Sequence, residues 1–344
     1  MNIKTRGLIY LWVSILLFAS LDSIIGKLGQ LGVNYPIHGH NPISFCNVLF
    51  AGNIIAGIVF IIGYRKQLSV DSIWAIQAKE WGSLSLVTIF ATILGPIFYL
   101  LAILTTAVIN VVLISTTEIV WALVLGYLFL NEKPSRLTLL GVLIAAMGVS
   151  LTFYLNLPDS MPMAMKMAKA NVGEGWLGHL VATAPKIGLI FALLGALFTI
   201  MGDILTNRYI SNIPKPIYSI FRTCVGALFF FVVATYLFGL THFADLFSPF
   251  LWEWMLFYGG VIFAMAIFTF SQAIEHVNPQ SIAIGNAFYP IAGVIFAYLI
   301  VGEIPNSAQI IGGVVILVGI AVGLYDNIKA ANLEEERLIG FKGI

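Results

Sequence analysis

The sequence predicts an all-α integral membrane protein whose ten transmembrane helices form two inverted five-helix repeats. Composition is the first ground: 60% of its residues are hydrophobic and 10% are charged, against roughly 25% charged in an average soluble domain. The second is length, since ten apolar runs reach the roughly 20 residues that a helix needs to cross a bilayer core of about 30 Å. The third is duplication. Asn131-Glu132-Lys133-Pro134, followed by Gly141 and Gly148, returns 171 residues later as Gly302-Glu303-Ile304-Pro305, followed by Gly312 and Gly319. Five spans separate the copies, so the second copy enters the membrane upside down relative to the first.

The first repeat occupies residues 1–155, with spans near 7–28, 42–64, 81–104, 107–130 and 136–155. Lys4 and Arg6 ahead of the run Leu8 to Leu21 could mark a leader, but no small-residue cleavage pattern follows. The segment also recurs in mid-chain, Gly7-Leu8-Ile9 to Asp22 matching Gly188-Leu189-Ile190 to Asp203, and a duplicated segment is a span. Residues 156–186 form a linker. The second repeat, 187–325, carries spans near 187–209, 216–239, 254–274, 280–301 and 306–325, and residues 326–344 form a solvated tail. Barrel strands would alternate polar and apolar residues. These runs do not, so helices satisfy the backbone in lipid.

With a cytoplasmic N-terminus, the inner segments hold Lys4, Arg6, Arg65, Lys66, Lys79, Lys133, Arg136, Arg208, Lys215, Lys329, Arg337 and Lys342. The outer segments hold Lys27, Lys166, Lys169 and Lys186. This bias predicts cytoplasmic termini and a linker outside, in the plasma membrane. A net charge of +1 offers no basic surface for nucleic acid. Cys46 and Cys224 lie in apolar runs of opposite repeats and predict neither a disulfide framework nor a thiolate metal site. Met161, Met163, Met165 and Met167 present thioethers of the kind that suits Cu(I), but without interleaved Cys or His they read as lipid contacts. His38-Gly39-His40 lacks a third ligand and reads as an ordinary loop. No metal or cofactor is expected.

The spans resemble those of the EamA-like, ten-span members of the drug/metabolite transporter superfamily from Gly7 to Gly323. The most specific part is Gly126-Tyr127-Leu128-Phe129-Leu130-Asn131-Glu132 and Ala297-Tyr298-Leu299-Ile300-Val301-Gly302-Glu303, each followed by a glycine-bearing span. The resemblance implies two inverted repeats, a central cavity and export of small organic molecules. This chain departs from the pattern at three places. Arg222 keeps the arginine expected early in the seventh span, whereas Asn47 stands at the equivalent position of the second span. Pro290 keeps the proline of the ninth span, whereas the fourth reads Glu118-Ile119. Ser20-Leu21-Asp22 replaces the usual Trp-Gly of the first.

Asp22, Lys27, Glu118, Asp203 and Arg222 are ionisable residues within spans. Each costs at least ~2.5 kcal/mol near a helix centre unless it faces a partner or a water-filled cavity. Glu118 lies midway along the fourth span, where a transporter's site is expected. It is the candidate to carry a coupling proton or to bind a cationic group of the substrate; the structural alternative is a glutamic acid hydrogen-bonded to Asn110 or Thr117. Arg222 and Asp203 sit at similar depth on adjacent antiparallel helices, which predicts a structural ion pair; the alternative is a direct substrate role, and with Asp22 and Asn47 they stand among the candidates to bind substrate or proton. Asp22 has Asn47 as its equivalent neighbour, and Lys27 can snorkel to the outer interface.

Asn286, Tyr289 and Ser281, with Thr116 and Asn110, supply neutral polar groups for a cavity wall, to which Phe98, Tyr99, Phe268 and Phe270 could add aromatic faces. Trp74, Trp81, Trp252, Trp254 and Tyr258 read as interface belt residues. Glu132 and Glu303 precede turns and read as scaffold, and the glycines of the fifth and tenth spans permit close packing.

The resulting expectation is a secondary transporter that exports small organic metabolites or drugs by alternating access, open to proton coupling and to a homodimeric state. A sugar-phosphate or nucleotide-sugar exchanger is the alternative, although anionic cargo calls for several cavity cations. An intramembrane enzyme or a scaffold is more remote. Asp22 and Asp203 would differ in depth by roughly 14 Å at 1.5 Å per residue, too far for an aspartyl dyad, whose carboxylates lie about 3 Å apart.

Overall fold

The computed structural model describes residues 3–36, 42–43, 45–130, 135–155, 186–210, 213–238, 248–277 and 279–341, and no strand occurs among them. His38, His40, Glu132 and the methionines at 161–167 lie outside the described residues. Among the described residues eight helices are long and apolar enough to cross a membrane, and two shorter apolar helices bring the set to ten. They are α1 (Ile3–Gly32), α2 (Phe45–Tyr64), α3 (Ala78–Thr105), α4 (Val108–Phe129) and α5 (Arg136–Leu155), then α6 (Ile187–Tyr209) and α7 (Lys215–Phe238). Next come α8 (Pro249–Phe270), α9, built from Pro279–Ala287 and Tyr289–Val301, and α10 (Ser307–Phe341). α10 runs on through most of the tail, so residues 326–341 continue the last helix instead of leaving it at the membrane surface.

Helix pairing follows the duplication. α1 packs on α8 and α6 on α3, a pair of contacts that exchange under the repeat, while α2 packs on α7 and α5 on α10, each with its own counterpart. The inverted repeats are therefore interlocked, and every extensive helix pairing joins one repeat to the other. The face where α5 ends and α6 begins is called the linker face below, and the opposite face the terminus face.

Glycine sets the distance between α5 and α10. A Cβ on Gly141 would lie 2.5 Å from the Gly323 nitrogen and 2.6 Å from the Gly319 oxygen, and one on Gly148 would lie 2.7 Å from the Gly312 oxygen. These backbones touch because neither carries a side chain there, the close approach that stabilises helix pairs in lipid, where no hydrophobic drive operates between them. Gly141→Ala should destabilise the protein by about 1–3 kcal/mol through overpacking. Gly63→Ala, which meets nothing within 4 Å, should not. Thermal unfolding of the two variants in detergent checks this.

Both α4 and α9 break at mid-membrane, at equivalent residues. The Thr117 amide bonds the Ile114 carbonyl at 2.9 Å and the Phe288 amide bonds the Gly285 carbonyl at 3.0 Å, a tight three-residue turn repeated 171 positions apart. In α9 the cause is Pro290, which cannot donate to the helix ladder. In α4 no proline is present. There Ser115, Thr116 and Thr117 turn their hydroxyls onto the carbonyls of Val112, Leu113 and Ile114 at 2.8, 2.5 and 2.7 Å. Such back-bonding competes with the ladder and bends helices. π-helical stretches also recur in register, Gly126–Leu130 and Ala297–Val301.

Candidate functional site

The two breaks place Glu118 and Tyr289 as the first residues of the helical segments that follow them. They occupy equivalent positions, and both line one cavity of about 570 Å³ between the repeats. Asp22 of α1, Tyr99 of α3, Thr116 of α4 and Asn286 of α9 line it with them. A second lobe of about 500 Å³ shares Asp22, Glu118, Asn286 and Tyr289 and adds Asp203, Tyr258, Phe18 and Phe270. Three carboxylates from α1, α4 and α6 and three tyrosines from α3, α8 and α9 thus line these two lobes, with Asp22, Glu118 and Tyr289 common to both.

Glu118 is not held by Asn110 or Thr117. The Tyr99 hydroxyl donates to Glu118 Oε1 at 2.5 Å. The Thr117 hydroxyl is committed to Ile114. Across the cavity the Tyr289 hydroxyl is 3.5 Å from Asp22 Oδ2, at the long end of hydrogen-bond range. Glu118 also stands in the first turn of its segment, where the positive end of the helix dipole favours a carboxylate. Asp22, Glu118 and Asp203 line the two lobes, and no Lys or Arg stands among the described lining residues.

The remaining candidates separate. Arg222 acts on Asp203 as an opposing charge, yet its hydrogen bond goes to the Tyr218 hydroxyl at 3.3 Å, one turn back on α7, with the guanidinium 5.5 Å from that ring. The expected ion pair is therefore not formed: among the described residues no hydrogen bond or ion pair joins Arg222 to Asp203. Asn47 is fully buried, and its Nδ2 donates to the Pro42 carbonyl at 3.1 Å; it lines neither lobe. Asn110 is buried too, bonded to Thr106 and Gln309 and away from the cavity wall. Phe98 packs on Phe191 and Phe198, and Phe268 sits on the outer surface. Arg222 and Lys27 line neither lobe. Among the described residues no three His, Cys, Asp or Glu side chains are grouped to hold a metal ion.

Tyr258, which the sequence suggested for the interface belt, lines the second lobe. A signal for the Glu118 partner was available in the hairpin joining α3 to α4. Its turn falls at Thr106-Ala107, so Tyr99 and Glu118 differ in depth by about four residues, roughly 6 Å. The long tyrosine side chain bridges that difference.

The cavity is lopsided. Every residue of Val108–Ser115, the half of α4 toward the linker face, is buried, whereas Ile119 and Val124 in the other half are exposed. The lining extends the other way, past Ala122 to Thr138, Gly141, Gly319 and Gly323 near the terminus face.

Sequence comparisons agree with this architecture. The model of the EamA-like transporter family matches residues 6–154 and again 186–325. An uncharacterized transporter of Synechocystis sp. is 30% identical over 347 residues, covering 98% of this chain and 95% of that protein. A solved crystal structure of 15% identity superposes with a TM-score of 0.56, covering 97% of this chain and 99% of that one, a likeness of fold alone.

Proposed function

Since the chain belongs to the EamA-like transporter family, we propose that this membrane transporter exports small neutral, zwitterionic or cationic molecules across the plasma membrane by alternating access. In this reading residues 1–155 and 187–325 are the moving repeats, 156–186 is an outer linker, 326–344 is a cytoplasmic tail, and the termini are cytoplasmic. Glu118 binds the coupling proton or the cationic group of the cargo, and Asp22 and Asp203 hold the same field on either side of it. The observation that carries the reading is the convergence of Asp22, Glu118 and Asp203 with Tyr99, Tyr258 and Tyr289 on two cavity lobes that share Asp22, Glu118, Asn286 and Tyr289. Acids held inside a membrane are costly unless they face water or cargo, and an apolar pocket with few polar groups suits small organic ligands. No cation lines either lobe among the described residues, which disfavours phosphorylated cargo.

The test is efflux from reconstituted vesicles loaded with a mixture of cellular metabolites. Under an imposed proton gradient, one or a few neutral or amine-bearing compounds should leave several-fold faster than from protein-free vesicles. Loss of phosphorylated anions instead would overturn the cargo class, and loss of nothing in a gradient-dependent way would overturn export.

A further inference from the structure

At the linker face, the turn between α9 and α10 in the second repeat grips the start of α4 in the first. Glu303 Oε1 accepts the Val108 amide and Oε2 accepts the Ile109 amide, both at 2.9 Å. One carboxylate thus satisfies two of the free N–H groups at a helix start and lies on the positive end of its dipole. Gly302, the residue before it, has φ +83°, a left-handed conformation that ends the π-helical stretch and turns the chain toward α4. A second grip lies beside the first. Asn306 and Gln309 cap each other's amides at 2.8 and 2.9 Å, and Gln309 Nε2 then reaches across to Asn110 Oδ1 at 2.8 Å.

The duplicated counterpart at the terminus face cannot be built the same way. The residue equivalent to Val108 is Pro279, which has no N–H, so a carboxylate there finds at most one of the two donors. The counterpart of the Asn306–Gln309 cap is Ser135–Thr138, in which the Thr138 amide donates to the Ser135 hydroxyl at 3.1 Å. Thr138 is too short to make the reach of Gln309 and instead lines the cavity. The two-donor clamp thus stands at the face where α4 is wholly buried, and the face toward which the cavity extends has Pro279 in place of one of the two donors.

We propose that Glu303 is the gate residue of transport at the linker face: its carboxylate latches the α9–α10 turn to α4 and must let go for the cavity to open on that side. The Gln309–Asn110 bond reinforces the latch, and the breaks at Thr117 and Phe288 are the pivots about which the released halves turn. Because the terminus face lacks the two-donor clamp, the cavity rests open toward it.

This inference rests on the alternating-access reading, and sided labelling tests the two separately. In a chain with Cys46 and Cys224 replaced by Ser, Ala287→Cys places a thiol on the cavity wall. A membrane-impermeant maleimide is applied to either face of oriented vesicles. Glu303→Gln, whose amide offers one acceptor where the carboxylate offered two, should raise labelling from the linker face at least several-fold. Val108→Pro should do the same. It deletes one donor at the first position of a helix, where proline is tolerated, and the preceding Ala107 is already extended, as proline requires. If Glu303→Gln fails to fold, Val108→Pro decides alone. A finite linker-face rate that is identical with and without these changes overturns the latch and leaves alternating access standing. A rate of zero in every chain overturns both.

Discussion

Glu118→Gln should lower gradient-driven transport about 10- to 100-fold at unchanged expression. The substitution keeps shape and an acceptor oxygen, so the Tyr99 hydroxyl, now 2.5 Å from Oε1, retains a partner and the break at Thr117 is undisturbed. What is lost is a charge in a low-dielectric cavity, and a hydrogen bond to a charged group contributes about 1.5–3 kcal/mol, which is the stated range at about 1.4 kcal/mol per decade. Two measurements separate the roles of the acid. If Glu118 carries the proton, Glu118→Gln retains exchange of labelled for unlabelled substrate without a gradient. If it holds the cationic group of the cargo, exchange falls as well. Transport by Glu118→Gln that remains dependent on the proton gradient would refute both roles. Tyr99→Phe leaves the charge but releases its orientation, and the expected loss is smaller, on the order of tenfold.

Arg222 and Asp203 show why a single acid is easier to place from the sequence than a pair. The depth of Glu118 follows from counting residues along a single helix, and Glu118 lines the cavity between the repeats. Partners lie on other helices, and helix rotation is not written in a run of apolar residues. Arg222 and Asp203 share a depth, yet the guanidinium is drawn to Tyr218 one turn back on its own helix. Asn110 looked like a cavity residue because it sits on the same helix as Glu118, but the separation of eight positions amounts to more than two turns and a break. That distance carries Asn110 into the buried contact with Gln309.

The repeats themselves were legible, because Pro, Gly and Glu at fixed spacing survive duplication as letters. The α4 break was not. Its cause, three hydroxyls back-bonded to Val112, Leu113 and Ile114, does the work of Pro290 with different atoms. The two repeats thus reach one backbone geometry by two chemistries, and the absence of proline at Ile119 said nothing about the absence of a bend.

That equivalence makes the second large prediction. Proline should be accepted in α4 at one position and rejected a turn later. Ile119 is the counterpart of Pro290 and the second residue of Glu118–Leu125. Its amide makes only a turn-type bond to the Thr116 carbonyl at 3.2 Å. Ile119→Pro removes that one bond in the first turn of a helix, where proline is tolerated, and Tyr289-Pro290 shows that this fold accommodates the ring after a helical residue. The protein should fold, lose no more than about 1 kcal/mol, and transport within a few-fold of the unaltered chain. Leu123→Pro lies inside Glu118–Leu125, where the ring clashes with the preceding turn and strips a ladder bond, a cost of about 3 kcal/mol or more. In a segment that must satisfy its backbone within lipid, that loss should remove most folded protein. Thermal unfolding and membrane expression of the two variants side by side decide the matter: equal damage from both would show that the α4 break is not the structural equivalent of the α9 proline.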